Sequence, residues 1–241
     1  MNQSIYFIGM SKNCFPNLKN NINYLIKYKQ FSNFNINICI VDSDSVDGTK
    51  KFCKNLVTNK DIDSLIEIDN LEDSHSSRIE RLSISRNKGL EYIKKKIDNS
   101  GIYVPMDMDL DLFSLTDFSE LEKLIENFID SDSDGLFPYS TPYYYDIFAL
   151  RKKGWVGGNN LLISNKLKNR FLIFSFFFNY VFIFRQQKHI KAFNEEKIRV
   201  VSAFGGIGLY KIYNDTLTDA KYDVSKKEID FYSEHIFFNA H

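Results

Sequence analysis

Residues 35–49 read NINICIVDSDSVDGT. The first half, through Asp42, is a run rich in β-branched residues, the composition of a buried strand. It stops abruptly at Asp, Ser and Gly residues, which form turns and cap helices. A helix-forming stretch, KKFCKNLV, follows at once. A continuous apolar strand, a polar turn and a helix make one βα unit. The same unit recurs on both sides of this stretch. SIYFIGM (4–10) reads as a strand, and the next segment places Leu18, Ile22, Leu25 and Ile26 at helical spacing. SLIEID (64–69) reads as a third strand, and residues 78–97 as an amphipathic helix with Ile79, Leu82, Leu90 and Ile93. GIYVPMDMD is a further strand, LEKLIENFI a further helix, and DGLFPYS and VVSAFGGIGLYK read as strands. This alternation predicts an α/β fold with a mostly parallel central sheet flanked by helices.

In such sheets, ligands bind beyond the carboxyl ends of the strands. Two acidic segments fall there. DSDSVDGT follows one strand, and Asp42 and Asp44 could each accept a hydrogen bond from a base or ribose; a plain capped turn would look the same. The second is YVPMDMDLDLF (103–113), with Asp107, Asp109 and Asp111 spaced two apart. On a continuing strand all three would crowd one face. Either the strand ends and the acids meet water, or a cation sits against them, and hard divalent cations prefer oxygen ligands. The helix RIERLSISRNKG carries Arg78, Arg81 and Arg86, with Asn87 beside the last. Such charges form a solvated face or, with their fixed fork of donors, grip phosphate. Gly205-Gly206 mark a bulge or a place of close backbone approach, and Glu234-His235 stand near the far end.

Composition bounds the class. The 241 residues suit a single domain, 44% are hydrophobic and 26% charged. Lys+Arg and Asp+Glu are 31 each, so the formal net charge is zero, which argues against a nucleic-acid binder working through a basic field. Cys14, Cys39 and Cys53 form neither a CxxC pair nor a zinc spacing and read as reduced thiols of a cytosolic protein. The opening residues lack the basic start and apolar core of a cleaved signal peptide. FLIFSFFFNYVFIF (171–184) stands apart: almost wholly aromatic and aliphatic, with Lys166, Lys168 and Arg170 before it and Arg185 and Lys188 after. It is shorter than the roughly 20 residues of a membrane span. Length favours a buried helix or strand pair; the other reading is a segment resting in a lipid interface.

The ordered set VDSDSVDGT, RIERLSISRN, YVPMDMD, YYYDIFALR, SAFGGIGLYK and SEH resembles nucleotide-sugar-dependent glycosyltransferases of the GT-A (Rossmann-like) fold, in particular small bacterial and viral enzymes that build surface glycans. Its acid-His ending is similar to that of fungal capsule-associated mannosyltransferases. The resemblance covers most of residues 4–239 and implies one GT-A domain over 1–241, with a nucleotide-binding part at about 1–115 and an acceptor-binding part at about 116–241. It implies that Asp42 and Asp44 hold the nucleoside and that Arg86, with Arg78 and Asn87, contacts the diphosphate or neighbouring acids. Asp107 and Asp109 would form the D-x-D motif, with Asp109 on the metal (Mn2+ or Mg2+) and Asp107 on the ribose or the metal's water. His235 would be a late metal ligand, and Glu234 the base, with Asp146 as its rival. Gly205 and Gly206 would line the donor-sugar pocket, and Trp155 and Tyr143–Tyr145 would stack on sugars. The implied reaction moves a sugar, from UDP for preference, to a hydroxyl of a surface-glycan (lipopolysaccharide or capsule) or lipid-linked acceptor, with inversion. The implied place is cytoplasmic, peripheral at the inner membrane face, with that membrane surface as a further partner and nucleic acid as none. A nucleotidyltransferase acting on sugar phosphates and a non-catalytic glycan-binding module are the rival classes; the first is disfavoured by the lack of a glycine-rich phosphate loop.

Overall fold

The structure, a computed structural model, describes residues 3–138, 149–151, 167, 172–181, 198–223 and 235. Asp146, Trp155, Tyr143–Tyr145 and Glu234 lie outside the described residues. The chain forms two compact units. The first comprises Met1–Ser76, Ile84–Leu136 and Gly206–Lys221; the second comprises Ser77–Ser83, Phe137–Gly205 and Tyr222–His241.

The first unit is an α/β sandwich built on a sheet of six strands in the order β3-β2-β1-β4-β6-β5. Strands β1 (Ser4–Ser11), β2 (Asn35–Ser43), β3 (Ser64–Ile68) and β4 (Ser100–Asp107) are parallel. Strand β6 (Leu209–Tyr213) runs antiparallel to both β4 and the two-residue β5 (Gly135–Leu136). β1 and β4 are apolar along nearly their whole length because helices cover both faces of a parallel sheet. On one face, Ile5, Phe7, Ile38, Ile40, Val104 and Met106 pack with Leu18, Ile22, Leu25 and Tyr28 of α1 (Phe15–Phe31) and with Leu121, Ile125 and Phe128 of α5 (Phe118–Ile129). Each such side chain, once buried, contributes about 1.5–3 kcal/mol. Glu122 is buried among them and accepts from Tyr28 Oη (2.5 Å), Ser32 Oγ (2.8 Å) and the Asn33 amide (3.0 Å). Its charge is thereby satisfied while α5 is tied to the end of α1.

Helix α4 (Arg78–Lys94) meets the sheet closely at Gly89, where a Cβ would stand 2.5 Å from Ile8 Cγ2. The remaining short helices of this unit are α2 (Thr49–Thr58), α3 (Leu71–Ser74) and α7 (Asn214–Leu217). All three cysteines are buried free thiols.

In the second unit, an antiparallel bridge joins Arg151 and Ser202, with the Arg151 amide donating to Ser202 O at 2.8 Å. Leu150 and Ala203 pack with Phe137 and Val200. Helix α6 (Leu172–Asn179) lies within the aromatic run.

Three expectations change. The strand expected over VVSAFGGIGLYK begins only at Leu209; before it the chain makes isolated bridges, because Gly205-Gly206 turn it, Gly206 with φ +85°. Among the described residues of DGLFPYS, Gly135 and Leu136 are strand. The expected burial of the aromatic run fails: Ile173, Phe174, Phe176, Phe177 and Tyr180 are 60–84% exposed.

Candidate active site

The parallel strands end together, and their turns are stitched to one another. Ser11, at the end of β1, donates from Oγ to Asp42 Oδ2 at 3.0 Å, and the Ser45 amide donates to Asp42 Oδ1 at 3.3 Å. Asp42 is fully buried. Asn13 accepts from the Val46 amide (2.8 Å) and donates its own amide to Ser45 Oγ (2.8 Å). Asp47 accepts from the first amides of two helices, Phe15 of α1 at 3.0 Å and Thr49 of α2 at 3.1 Å. Burial pushes the Asp47 carboxyl up, but the Phe15 amide together with the Thr49 hydroxyl and amide outweighs it and holds the group below the usual carboxylate range. Asp44 sits at φ +56° and accepts from the Glu72 amide at 2.9 Å, and Lys12 pairs with Glu72. The turn after β2 is therefore fixed by the side chains of Ser11 and Asn13 and by the backbone amides of Phe15 in α1 and Glu72 in α3.

The end of β4 is held equally firmly. The Asp107 amide donates to Gly206 O at 2.7 Å, and the Met108 amide to Met10 O at 3.0 Å. A Cβ on Gly206 would stand 2.2 Å from Leu110 Cδ1. Arg86 is 1% exposed and donates from Nη2 to Asp107 Oδ1 at 2.8 Å. The close approach of α4 at Gly89, one turn further on, sets Arg86 against the sheet. The strand stops at Asp107, so the three acids do not share one strand face. Asp109 is exposed in the turn that follows, and its carbonyl accepts from Asn17 Nδ2 at 2.5 Å. Asp111 is exposed and lines a cavity of about 450 Å³ between α1 and the β4–α5 connection, with Asn20, Lys27 and Thr116.

Arg86, Asp107, Asp42, Asp44 and Asp109 thus all belong to strand ends and facing helices of the first unit. Arg78 is exposed at the start of α4, and Asn87 is half-buried beside Arg86. Gly205 belongs to the second unit, where a Cβ would stand 2.7 Å from Pro138 O. His235 is buried in that unit, stacked on Phe204 with centroids 3.7 Å apart and edge-on to Tyr222 at 5.3 Å. Burial pushes the thiols of Cys14 and Cys53 up to about 12, so neither is a nucleophile near neutral pH.

Among the described residues no three His, Cys, Asp or Glu side chains converge as a metal cage. Asp107 and Asp109 still fit Mg2+ or Mn2+, which are bound through one or two carboxylates plus substrate phosphates and water. Ser11, Asn13, Ser45 and Asp47 are the positioning residues that sequence reasoning did not single out; the DG pair after Asp42 was the available signal.

A mostly parallel sheet whose strand ends gather carboxylates and a buried arginine is an arrangement that several classes of nucleotide-dependent enzyme share, and the sequence decides among them. Residues 8–193 match the model of glycosyl transferase family 2, and the chain belongs to that family. Staphylococcus aureus TarS 1–349 shares the fold at a TM-score of 0.51 and 13% identity, over 98% of this chain and 54% of that one. The chain therefore spans about half the length of that TarS fragment. A mannosyltransferase from Pyrobaculum calidifontis, solved with GDP-Man and Mn2+, aligns at a TM-score of 0.43 and 17% identity, over 59% of this chain and 37% of that one. No curated protein matches the sequence significantly. Family membership sets aside the nucleotidyltransferase reading.

Proposed function

We propose that this protein transfers a sugar from a nucleoside-diphosphate sugar, UDP-linked, to a hydroxyl of a surface-glycan or lipid-linked acceptor, with Mn2+ or Mg2+ and with inversion. It works in the cytoplasm, peripheral to the inner membrane face. One observation carries the reading. In a family 2 chain, Asp107 is clamped by the buried Arg86 at the end of β4 while Asp109 stands open beside it.

The division of labour follows. Asp42 and Asp44 form the nucleoside edge, fixed in place by Ser11, Ser45 and the α3 amide. Arg86 orients Asp107 and, with Asn87 and Arg78, adds positive potential for a diphosphate. Asp107 and Asp109 would hold the divalent ion, which would offset charge on the leaving diphosphate. Gly205 and Gly206 border the donor sugar. A carboxylate, Glu234 with Asp146 as its rival, accepts the acceptor's hydroxyl proton. The oxygen then bonds to the anomeric carbon as the bond from that carbon to the diphosphate oxygen breaks, and the electron pair leaves on the diphosphate. A single displacement of this kind inverts the anomeric centre.

The test is donor turnover across a panel of nucleotide sugars with Mn2+ and with EDTA. Metal-dependent release of a nucleoside diphosphate, lost in Asp109→Ala, is the expected result. Pyrophosphate release, or turnover untouched by EDTA and by Asp109→Ala, would overturn the reading.

A further inference from the structure

Helix α6 and Tyr180 just beyond it expose five large apolar side chains. Ile173 is 84% exposed, Phe174 66%, Phe176 83%, Phe177 68% and Tyr180 60%. At about 3.6 residues per turn these five fall within an arc of about 160°. No charged residue interrupts that arc, and Asn179 lies off it and is half-buried. An exposed patch of four aromatic rings and an isoleucine on little more than two turns is far outside what a free surface carries without a partner.

The flanks say what covers it. Lys166, Lys168 and Arg170 precede the helix, and Arg185 and Lys188 follow it, with no acid between residues 166 and 188. A protein groove would need acidic rims on both sides to meet these cations. An anionic bilayer offers both requirements at once: an acyl boundary for the rings and a sheet of negative headgroups for the bases. Tyr180 adds a ring with a polar tip, suited to the headgroup level. The eight residues Leu172–Asn179 rise about 12 Å, well short of a hydrocarbon core of about 30 Å. No described helix is long and apolar enough to cross a membrane. A bilayer would therefore meet the described segment at its interface.

We infer that α6 docks this protein on an anionic lipid surface, its Ile173–Tyr180 face entering the acyl boundary and its flanking bases meeting the headgroups. The inference deepens the peripheral placement proposed above and rests on it, but it needs no catalytic step. The experiment is co-sedimentation with phosphatidylcholine vesicles, with and without phosphatidylglycerol, at low and high salt. The wild type should bind the anionic vesicles and release from them in high salt. Phe176→Ser with Phe177→Ser should lower the partition coefficient by at least about tenfold, with an unchanged melting temperature and unchanged turnover of donor in solution. Leu115→Ser, at a 96% exposed leucine of the first unit, should bind like the wild type. Equal binding by the double variant, or equal binding to neutral and anionic vesicles, would overturn the inference. So would a wild-type dimer in gel filtration that the double variant turns into a monomer, since a second copy would then cover the face. Loss of turnover with binding intact would count against the catalytic proposal alone.

Discussion

Replacing Asp107 by alanine should unfold the protein at a lower temperature, whereas replacing Asp109 should not. Arg86 is 1% exposed and donates to Asp107 at 2.8 Å, while the Asp107 side chain is 23% exposed. Removing one partner of a fully buried pair costs about 3–5 kcal/mol. Water reaches Asp107 in part, so the expected loss is about 2–4 kcal/mol. For a chain of this size that lowers the melting temperature by roughly 5–15 °C. Asp109 is exposed, and its removal should change stability by no more than about 0.5 kcal/mol. Both variants should lose transfer activity, for different reasons. The assay is thermal melting by circular dichroism beside donor turnover. Arg86→Met with Asp107→Leu removes both charges, and this variant should regain most of the lost stability yet stay inactive. If Asp107→Ala melts with the wild type, the pair does not hold the end of β4 and the argument fails.

Two further outcomes follow from the same geometry. Glu122→Ala strands the Tyr28 hydroxyl and the Asn33 amide, and should cost about 1–3 kcal/mol in urea unfolding without altering donor binding; an unchanged midpoint would refute it. Asp47 is held below the usual carboxylate range by two helix-start amides and the Thr49 hydroxyl, so its stabilising effect is complete above about pH 3.9 and fades as the pH falls through its lower folded value. The urea midpoints of wild type and Asp47→Ala should differ at pH 7 and converge below about pH 3.9; a gap that stays constant with pH would sink this account.

Much of the first unit was legible because buried parallel strands announce themselves as unbroken apolar runs. Residues 4–10, 35–42 and 64–69 became β1, β2 and β3 with ends shifted by a residue at most. The acids after β2 and β4 fell at strand ends as their turn chemistry predicts. What stayed hidden depends on tertiary contact. Asp47 looks like any acid of a polar turn until Phe15 and Thr49 are seen to share it. Arg86 looks like one base of a charged helix face until Gly89 brings α4 against β1. The aromatic run carries no periodicity because almost every position in it is apolar, so sequence pattern could not say which side faces outward. The burial expected there failed for that reason.

The position of β6 bears on how the molecule is made. Ser100 of β4 pairs with Tyr213, and Gly135 of β5 with Tyr210, so the strand that completes the sheet arrives more than a hundred residues after its neighbour. Until residue 213 leaves the ribosome, one edge of β4 presents unpaired amides and carbonyls, an open template for other chains. The closure entropy of so long a loop must be met before its contacts form, and such topologies fold slowly. Nascent chains stalled between β5 and β6 are therefore the ones that should call on chaperones.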